Sequence, residues 1–220
     1  MSLSSRIFLT AALLGTLVAL PCAAQSAKSP EAMEASLRNR LNEAAKDPKL
    51  TETLLKSGQK VAAFCANCHG QSGNSTSPDI PNLAGQNPVY LLVQLRKFTD
   101  GSRRNEFMEG MIKALSTDEK AGVVLFYNRQ QALRHPVTNP TLAAKGKVLF
   151  NKNCFRCHGE NGLGGENFAR IAGQQTTYLQ RTLQRYRSGD GVRMDPLMAA
   201  NTKQLTNEDI DAVVAYVASL

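Results

Sequence analysis

Four of the five cysteines and two of the three histidines fall in one arrangement, used twice: Cys65-Ala66-Asn67-Cys68-His69 and Cys154-Phe155-Arg156-Cys157-His158. Two thiols at this spacing reach the two vinyl groups on one edge of a porphyrin and add to them as thioethers. The adjacent imidazole then meets the iron from one face, so Cys-x-x-Cys-His marks covalent attachment of a c-type haem. Other uses of the same residues fit less well. A zinc site joining both pairs would have to span the 85 residues between Cys68 and Cys154, far more than a zinc ribbon uses. A thioredoxin-like redox pair needs a βαβ setting, which the sequence lacks. Plain disulfides would leave both histidines without a role.

An iron held by one histidine and used only to move electrons needs a second protein ligand. A soft thioether favours the ferrous state and raises the potential, which makes methionine the expected one. Met108, Met111, Met194 and Met198 lie downstream of the motifs. Counting back seven residues from Leu115 and from Leu205 reaches Met108 and Met198, the only pair at equivalent places. Met111 and Met194 suit core filling. His135 stands between Arg134 and Pro136 at the start of a linker, where a solvated or packing role is expected. Arg103, Arg104 and Arg193 follow glycine-containing turns and would pair with haem propionates or remain solvated. A backbone carbonyl near Pro81, and near Ala169 in the second unit, is expected to accept the other N–H of the proximal histidine and fix its tautomer.

These residues must be positioned by a duplicated unit. Gln59 to Gln130 and Lys145 to Ser219 carry the same landmarks in the same order, with the offset between matches held at 88 to 90 residues. Leu83-Ala84-Gly85-Gln86 matches Ile171-Ala172-Gly173-Gln174, and Tyr90-Leu91 matches Tyr178-Leu179. Each unit reads as mainly helical. Helical spacing predicts a helix from about Gly58 to Cys65 and another from Asn87 to Asp100, apolar at Tyr90, Leu91, Leu95 and Phe98. Ser116 to Glu119 and Thr206 to Asp209 are capping boxes that open the terminal helices. No segment reads as a strand. The expected fold is all-α, with two tandem units each wrapped around one covalent haem.

The expected division is a signal peptide over 1–24, a helical extension over 25–56, a first unit over 57–135, a linker over 136–144 and a second unit over 145–220. Arg6 and the apolar run Ile7 to Leu20, followed by Pro21-Cys22-Ala23-Ala24, read as an export signal cleaved before Gln25. The run is short for a membrane anchor, and Pro21 and Leu20 fit poorly before a lipid-modified Cys22. In the extension, Ser29 and Pro30 are placed to start a helix with Met33, Leu37 and Leu41 on one stripe, packed on the first unit, docking a partner or only partly ordered.

Composition bounds the partners. The 220 residues are 42% hydrophobic and 20% charged, with no tryptophan. Two cores of about eighty residues each are marginal alone, and a large apolar cofactor would help fill them. The formal charge is +8. Removing Arg6 leaves +7, and four propionates reduce that to about +3. A mildly basic surface suits acidic proteins or anionic membrane surfaces, and no basic run is dense enough for nucleic acid.

With the motifs, the Leu-Ala-Gly-Gln segment, the middle helix and the paired methionines in place, the chain from about Ser57 to Leu220 resembles the two-haem cytochrome c4 family. The resemblance implies two class I cytochrome c folds about a pseudo-twofold axis, with His69 and Met108 on one iron and His158 and Met198 on the other. Cys65, Cys68, Cys154 and Cys157 would carry the thioethers. It implies a periplasmic carrier of single electrons with no catalytic residues and no transmembrane span in the mature protein. Its partners would be a quinol-oxidising complex upstream and a membrane terminal oxidase downstream. The departures from the family pattern are Ala169 at the proximal proline position and the N-terminal extension. The alternatives are a haem enzyme, such as a thiosulfate dehydrogenase or peroxidase, and a cytochrome subunit of a larger redox complex.

Overall fold

A computed structural model describes residues 29–220; the expected signal peptide and the first residues of the extension lie outside the described residues. Ten helices account for the regular structure of these residues: α1 (Pro30–Lys46), α2 (Pro48–His69), α3 (Pro88–Thr99), α4 (Glu106–Ala114), α5 (Thr117–Asn128), α6 (Pro140–Asn153), α7 (Phe155–His158), α8 (Thr176–Ser188), α9 (Pro196–Thr202) and α10 (Asn207–Ser219). The only bridge pairing among them is a single antiparallel one between Arg103 and Arg193. No helix among the described residues is long and apolar enough to cross a membrane.

Local chemistry sets the helix starts. Ser29 caps α1, its Oγ accepting from Ala32 N–H at 3.2 Å, and Pro30 stands at the first turn, where its missing N–H costs nothing. Both expected capping boxes are present, on Ser116 with Glu119 and on Thr206 with Asp209. Pro140 opens α6 under an Asn139 cap, although the sequence suggests it as part of a linker. A proline that ends one helix is equally suited to begin the next. Likewise α2 begins at Pro48, ten residues before the expected start at Gly58, and runs without a break into the first motif.

The two units share one framework. In the first, α2 crosses α5 where Gly58 meets Gly122; a Cβ on Gly58 would lie 2.1 Å from the Gly122 carbonyl carbon. In the second, α6 crosses α10 at the equivalent place, and a Cβ on Gly146 would lie 1.9 Å from Ala212 O. Backbones this close leave no room for a side chain at Gly58 or Gly146. Around the first crossing Ala62, Leu91, Leu95, Phe98, Ile112, Val123, Val124 and Tyr127 form a core. Phe150, Leu179, Ile210, Val213, Val214 and Val217 form its counterpart.

The extension distinguishes the units. Of the three roles the sequence allows it, the structure shows packing on the first unit: α1 lies on α3 and α5, and its Leu37 and Ala44 join Leu54, Leu92 and Ala121 in a third buried cluster. Arg40 grips Asp118 through two hydrogen bonds of 2.7 and 2.9 Å, and Glu34 pairs with Arg96 at 2.8 Å. At the equivalent places the second unit has Gln180 for Leu92, Arg181 for Val93 and Asp211 for Ala121. There Gln180 donates to Asp211 at 2.6 Å, so the uncovered face is polar.

Two changes test this framework. Gly146→Val forces α6 off α10 and is expected to lower stability by roughly 3 kcal/mol or more through overpacking against backbone, read as a lower urea midpoint. Leu37→Ala, at a side chain with no exposure, is expected to cost about 3 kcal/mol in the same measurement; a neutral result would mean that α1 is dispensable.

Candidate haem sites and the surface between them

Each cysteine motif sits where its unit's N-terminal helix ends. α2 reaches His69, and Gly70 at φ 78° turns the chain away. In the second unit the helix breaks at Cys154, and one further turn, α7, ends at His158 before Gly159 at φ 73°. None of Cys65, Cys68, Cys154 and Cys157 is in a disulfide. Burial raises the Cys65 thiol, and it pushes Cys154 up to about 11. The two motifs stay apart: among the described residues no three His, Cys, Asp or Glu side chains converge as a metal-ion site.

Both histidines are held in the same way. His69 Nδ1 lies 2.8 Å from Pro81 O, and His158 Nδ1 lies 2.9 Å from Ala169 O. A carbonyl oxygen only accepts, so each Nδ1 carries the proton and each Nε2 keeps its lone pair. Burial lowers the pKa of both rings and favours the neutral form, the form that ligates iron. Ala169 supplies its carbonyl as well as Pro81 does.

The methionines sit on two short helices that the sequence analysis did not anticipate. Asn105 caps α4 and accepts from Met108 N–H at 3.0 Å; Asp195 caps α9 and accepts from Met198 N–H at 3.2 Å. Met108 and Met198 therefore occupy the same third position of equivalent helices. Met108 packs against the first core, as do Cys65 and Leu83, and Met198 is half-buried. Met194 is exposed. His135 is at the edge of the second unit, its backbone N–H donating to Ala218 O at 3.1 Å.

The arginines behave differently from one another. Arg104 is exposed and lies 3.4 Å from Glu109. Arg193 is buried between the units and donates to the hydroxyls of Tyr186 at 2.6 Å and of Tyr178 and Tyr90 at 2.7 Å. Arg103 donates to Gln94 at 2.9 Å and Tyr178 at 3.2 Å, and stacks on Phe98 at 4.5 Å. Neither guanidinium has a carboxylate within ion-pair distance among the described residues. Burial and the Arg193 charge push Arg103 below its ordinary pKa. Although burial opposes it, the pair pulls the Tyr178 phenol down to about 8. The site is thus strongly positive and lacks its own anion. Uncompensated buried charge is costly, and haem propionates have the matching charge. The lone-pair imidazoles, free thiols and buried guanidiniums all fit haem c.

The surface between the units is polar and nearly symmetric. Gln174 Oε1 accepts from Asn82 N–H at 2.7 Å while its Nε2 donates to Asn82 O at 3.0 Å. Gln86 repeats this on Arg170, at 2.7 and 2.8 Å. Asn82 Nδ2 donates to Gly173 O at 2.9 Å, and Gln175 donates to Ser75 O and Asn82 Oδ1. Sequence reasoning used Gln86 and Gln174 only as landmarks of the repeat; their buried role is visible only once the units are docked.

The cap geometry can be tested directly. Asn105→Ala leaves Met108 N–H without its acceptor and is expected to weaken α4 by about 1 kcal/mol. Faster amide hydrogen exchange confined to the first turn of α4 is the expected readout, and unchanged exchange would deny the cap this role.

The comparisons agree with this geometry. The cytochrome c family model matches residues 143–220. The cytochrome c4 of Pseudomonas aeruginosa is 33% identical over 177 residues, 74% of this chain and 87% of the relative. A thiosulfate dehydrogenase electron acceptor of Thiomonas intermedia is 35% identical over 173 residues, 72% of this chain and 79% of the relative. The crystal structure of reduced cytochrome c4 from Pseudomonas stutzeri superposes with a TM-score of 0.70 at 31% identity, covering 76% of this chain and 98% of that one. With its helices crossing at glycine, its motif histidines locked by carbonyls and relatives of this kind, the chain belongs to the cytochrome c4 family, an all-α class I c-type cytochrome that carries covalently bound haem c and transfers electrons.

Proposed function

We propose that this protein is a periplasmic dihaem carrier that passes single electrons from a quinol-oxidising complex towards a membrane terminal oxidase. One haem would be held by Cys65, Cys68, His69 and Met108, the other by Cys154, Cys157, His158 and Met198. Bound haem supplies the one-electron ferric–ferrous couple; the chain's own residues hold it, close it to substrates and set its surroundings. The observation that carries the reading is the equivalence of the two sites: each has a neutral imidazole with Nδ1 committed to a carbonyl, and each has a methionine at the third position of a capped helix. With a histidine and a methionine each, two irons would have no open position for a substrate, which disfavours a peroxidase or other haem enzyme.

The polypeptide then contributes three things. The Pro81 and Ala169 carbonyls commit each Nδ1 and would leave each Nε2 lone pair to hold iron. Arg103 and Arg193 would hold propionate charge between the units. Phe107 and Leu197, each preceding its methionine, are exposed and give a partner apolar contact beside the site. The Thiomonas relative's name adds a thiosulfate-oxidising enzyme as a donor class, with the carrier role unchanged.

The absorption spectrum of the oxidised protein tests the ligand set. The weak far-red band of methionine–ferric haem ligation should have the intensity of two haems, with Met108→Ala and Met198→Ala each removing half. Loss of the band with Met111→Ala, or a high-spin signature in the unaltered protein, would overturn the assignment and favour an enzyme.

A further inference from the structure

The peptide group that accepts each histidine proton is itself held by a glutamine from the other unit. Pro81 O takes His69 Nδ1–H, and the N–H of the same peptide group, on Asn82, donates to Gln174 Oε1 at 2.7 Å. Ala169 O takes His158 Nδ1–H, and the N–H of that peptide group, on Arg170, donates to Gln86 Oε1 at 2.7 Å. Gln86, Gln174 and Asn82 are all at least 94% buried, so water does not compete for these bonds. We propose that Gln86 and Gln174 are positioning residues that tune the reduction potential of the haem in the opposite unit, each through one peptide group and one histidine. The proposal rests on His69 and His158 being iron ligands.

The physical basis is the polarisation of the amide. An amide whose N–H is engaged by a good acceptor carries more negative charge on its oxygen, because hydrogen bonds in a chain strengthen one another in a buried setting. The stronger carbonyl draws the Nδ1 proton further and makes the imidazole a better donor to iron. That stabilises the ferric state and lowers the potential. The second bond of each glutamine, from Nε2 to the carbonyl of Asn82 or Arg170, fixes its side chain so that Oε1 cannot turn away. The relay therefore exists only while the units are docked, and each haem reports the docking through the other unit's glutamine.

The test is a redox titration followed by haem-methyl resonances, which separates the two haems, together with the proximal-histidine ring N–H resonances of the reduced protein. Gln174→Met removes both bonds at similar volume. It is expected to raise the potential of the first haem alone, with about a threefold change in its reduction equilibrium, or ~28 mV at 59 mV per tenfold. The His69 Nδ1–H resonance should move upfield. Gln86→Met should do the same to the second haem and His158 alone. Gln174→Glu keeps an acceptor towards Asn82 N–H and is expected to return the first haem to its original potential or below. A shift in the haem of the mutated unit, an equal shift in both, or no shift in either would overturn the proposal. If Gln174→Met does not fold, the result for Gln86→Met and Gln174→Glu decides. Absence of haem-shifted His69 and His158 ring protons in the unaltered protein would instead refute the ligand assignment.

Discussion

Backbone contact at two helix crossings is the constraint on which both sites depend. Gly58 against Gly122, and Gly146 against Ala212, let the first and last helices of each unit meet with no side chain between them. The cysteine motif lies at the end of the first helix, so the crossing sets where the thiols and histidine emerge and in which direction. The last helix supplies a further anchor. Gly85 N–H donates to Tyr127 O at 2.8 Å, and Gly173 N–H donates to Val217 O at 3.0 Å. These bonds tie the loop that carries the proximal carbonyl back onto the crossing pair. One close approach thus places both the histidine and the oxygen that orients it.

The duplicated units have diverged where their environments differ. In the first unit Leu92, Val93 and Ala121 are apolar because α1 covers them. In the second, glutamine, arginine and aspartate stand in the same places; Arg181 is exposed, while Gln180 and Asp211 are half-buried and bond each other. The Arg40–Asp118 and Glu34–Arg96 pairs are partly exposed and add little energy, but they fix the angle at which α1 lies. Its attachment comes from Leu37 and Ala44, which carry the buried area.

Between the units the chemistry changes from apolar to polar, and the two kinds of polar contact do different work. The glutamine brackets are neutral, fully paired and nearly symmetric; they specify one mutual orientation, because each satisfies both polar atoms of a side chain against a single backbone residue. The arginine–tyrosine cluster is less symmetric. Tyr186 of the second unit answers to Phe98 of the first, so Arg193 meets a hydroxyl where Arg103 stacks on a ring. The two candidate sites share residue types and fold yet differ in the electrostatic field around them, which would give two haems a basis for unequal potentials.

Much of this was legible from residue types and spacing alone. Cys-x-x-Cys-His depends only on local geometry along one helical turn, so both motifs and the helix ends that carry them could be read directly. The 88-to-90-residue repeat paired Met108 with Met198, and both stand at the third position of equivalent capped helices. Capping boxes at Ser116 and Thr206 are likewise local. Element boundaries were less legible: a proline such as Pro48 or Pro140 suits a helix start as well as a break, and only the packing of α2 and α6 decided between them. The short helices of Met108 and Met198 are too brief to leave a periodic signal.

Tertiary structure alone decided which side chains from distant segments meet. Nothing along the chain distinguishes Arg104, which is solvated, from Arg103, which is enclosed with three tyrosines drawn from both units. Nothing local reveals that Gln174 holds the peptide bond beside Pro81. Covalent and cap chemistry acts over a few residues and is written in the sequence, whereas burial and hydrogen bonding across an interface depend on the three-dimensional docking of two units.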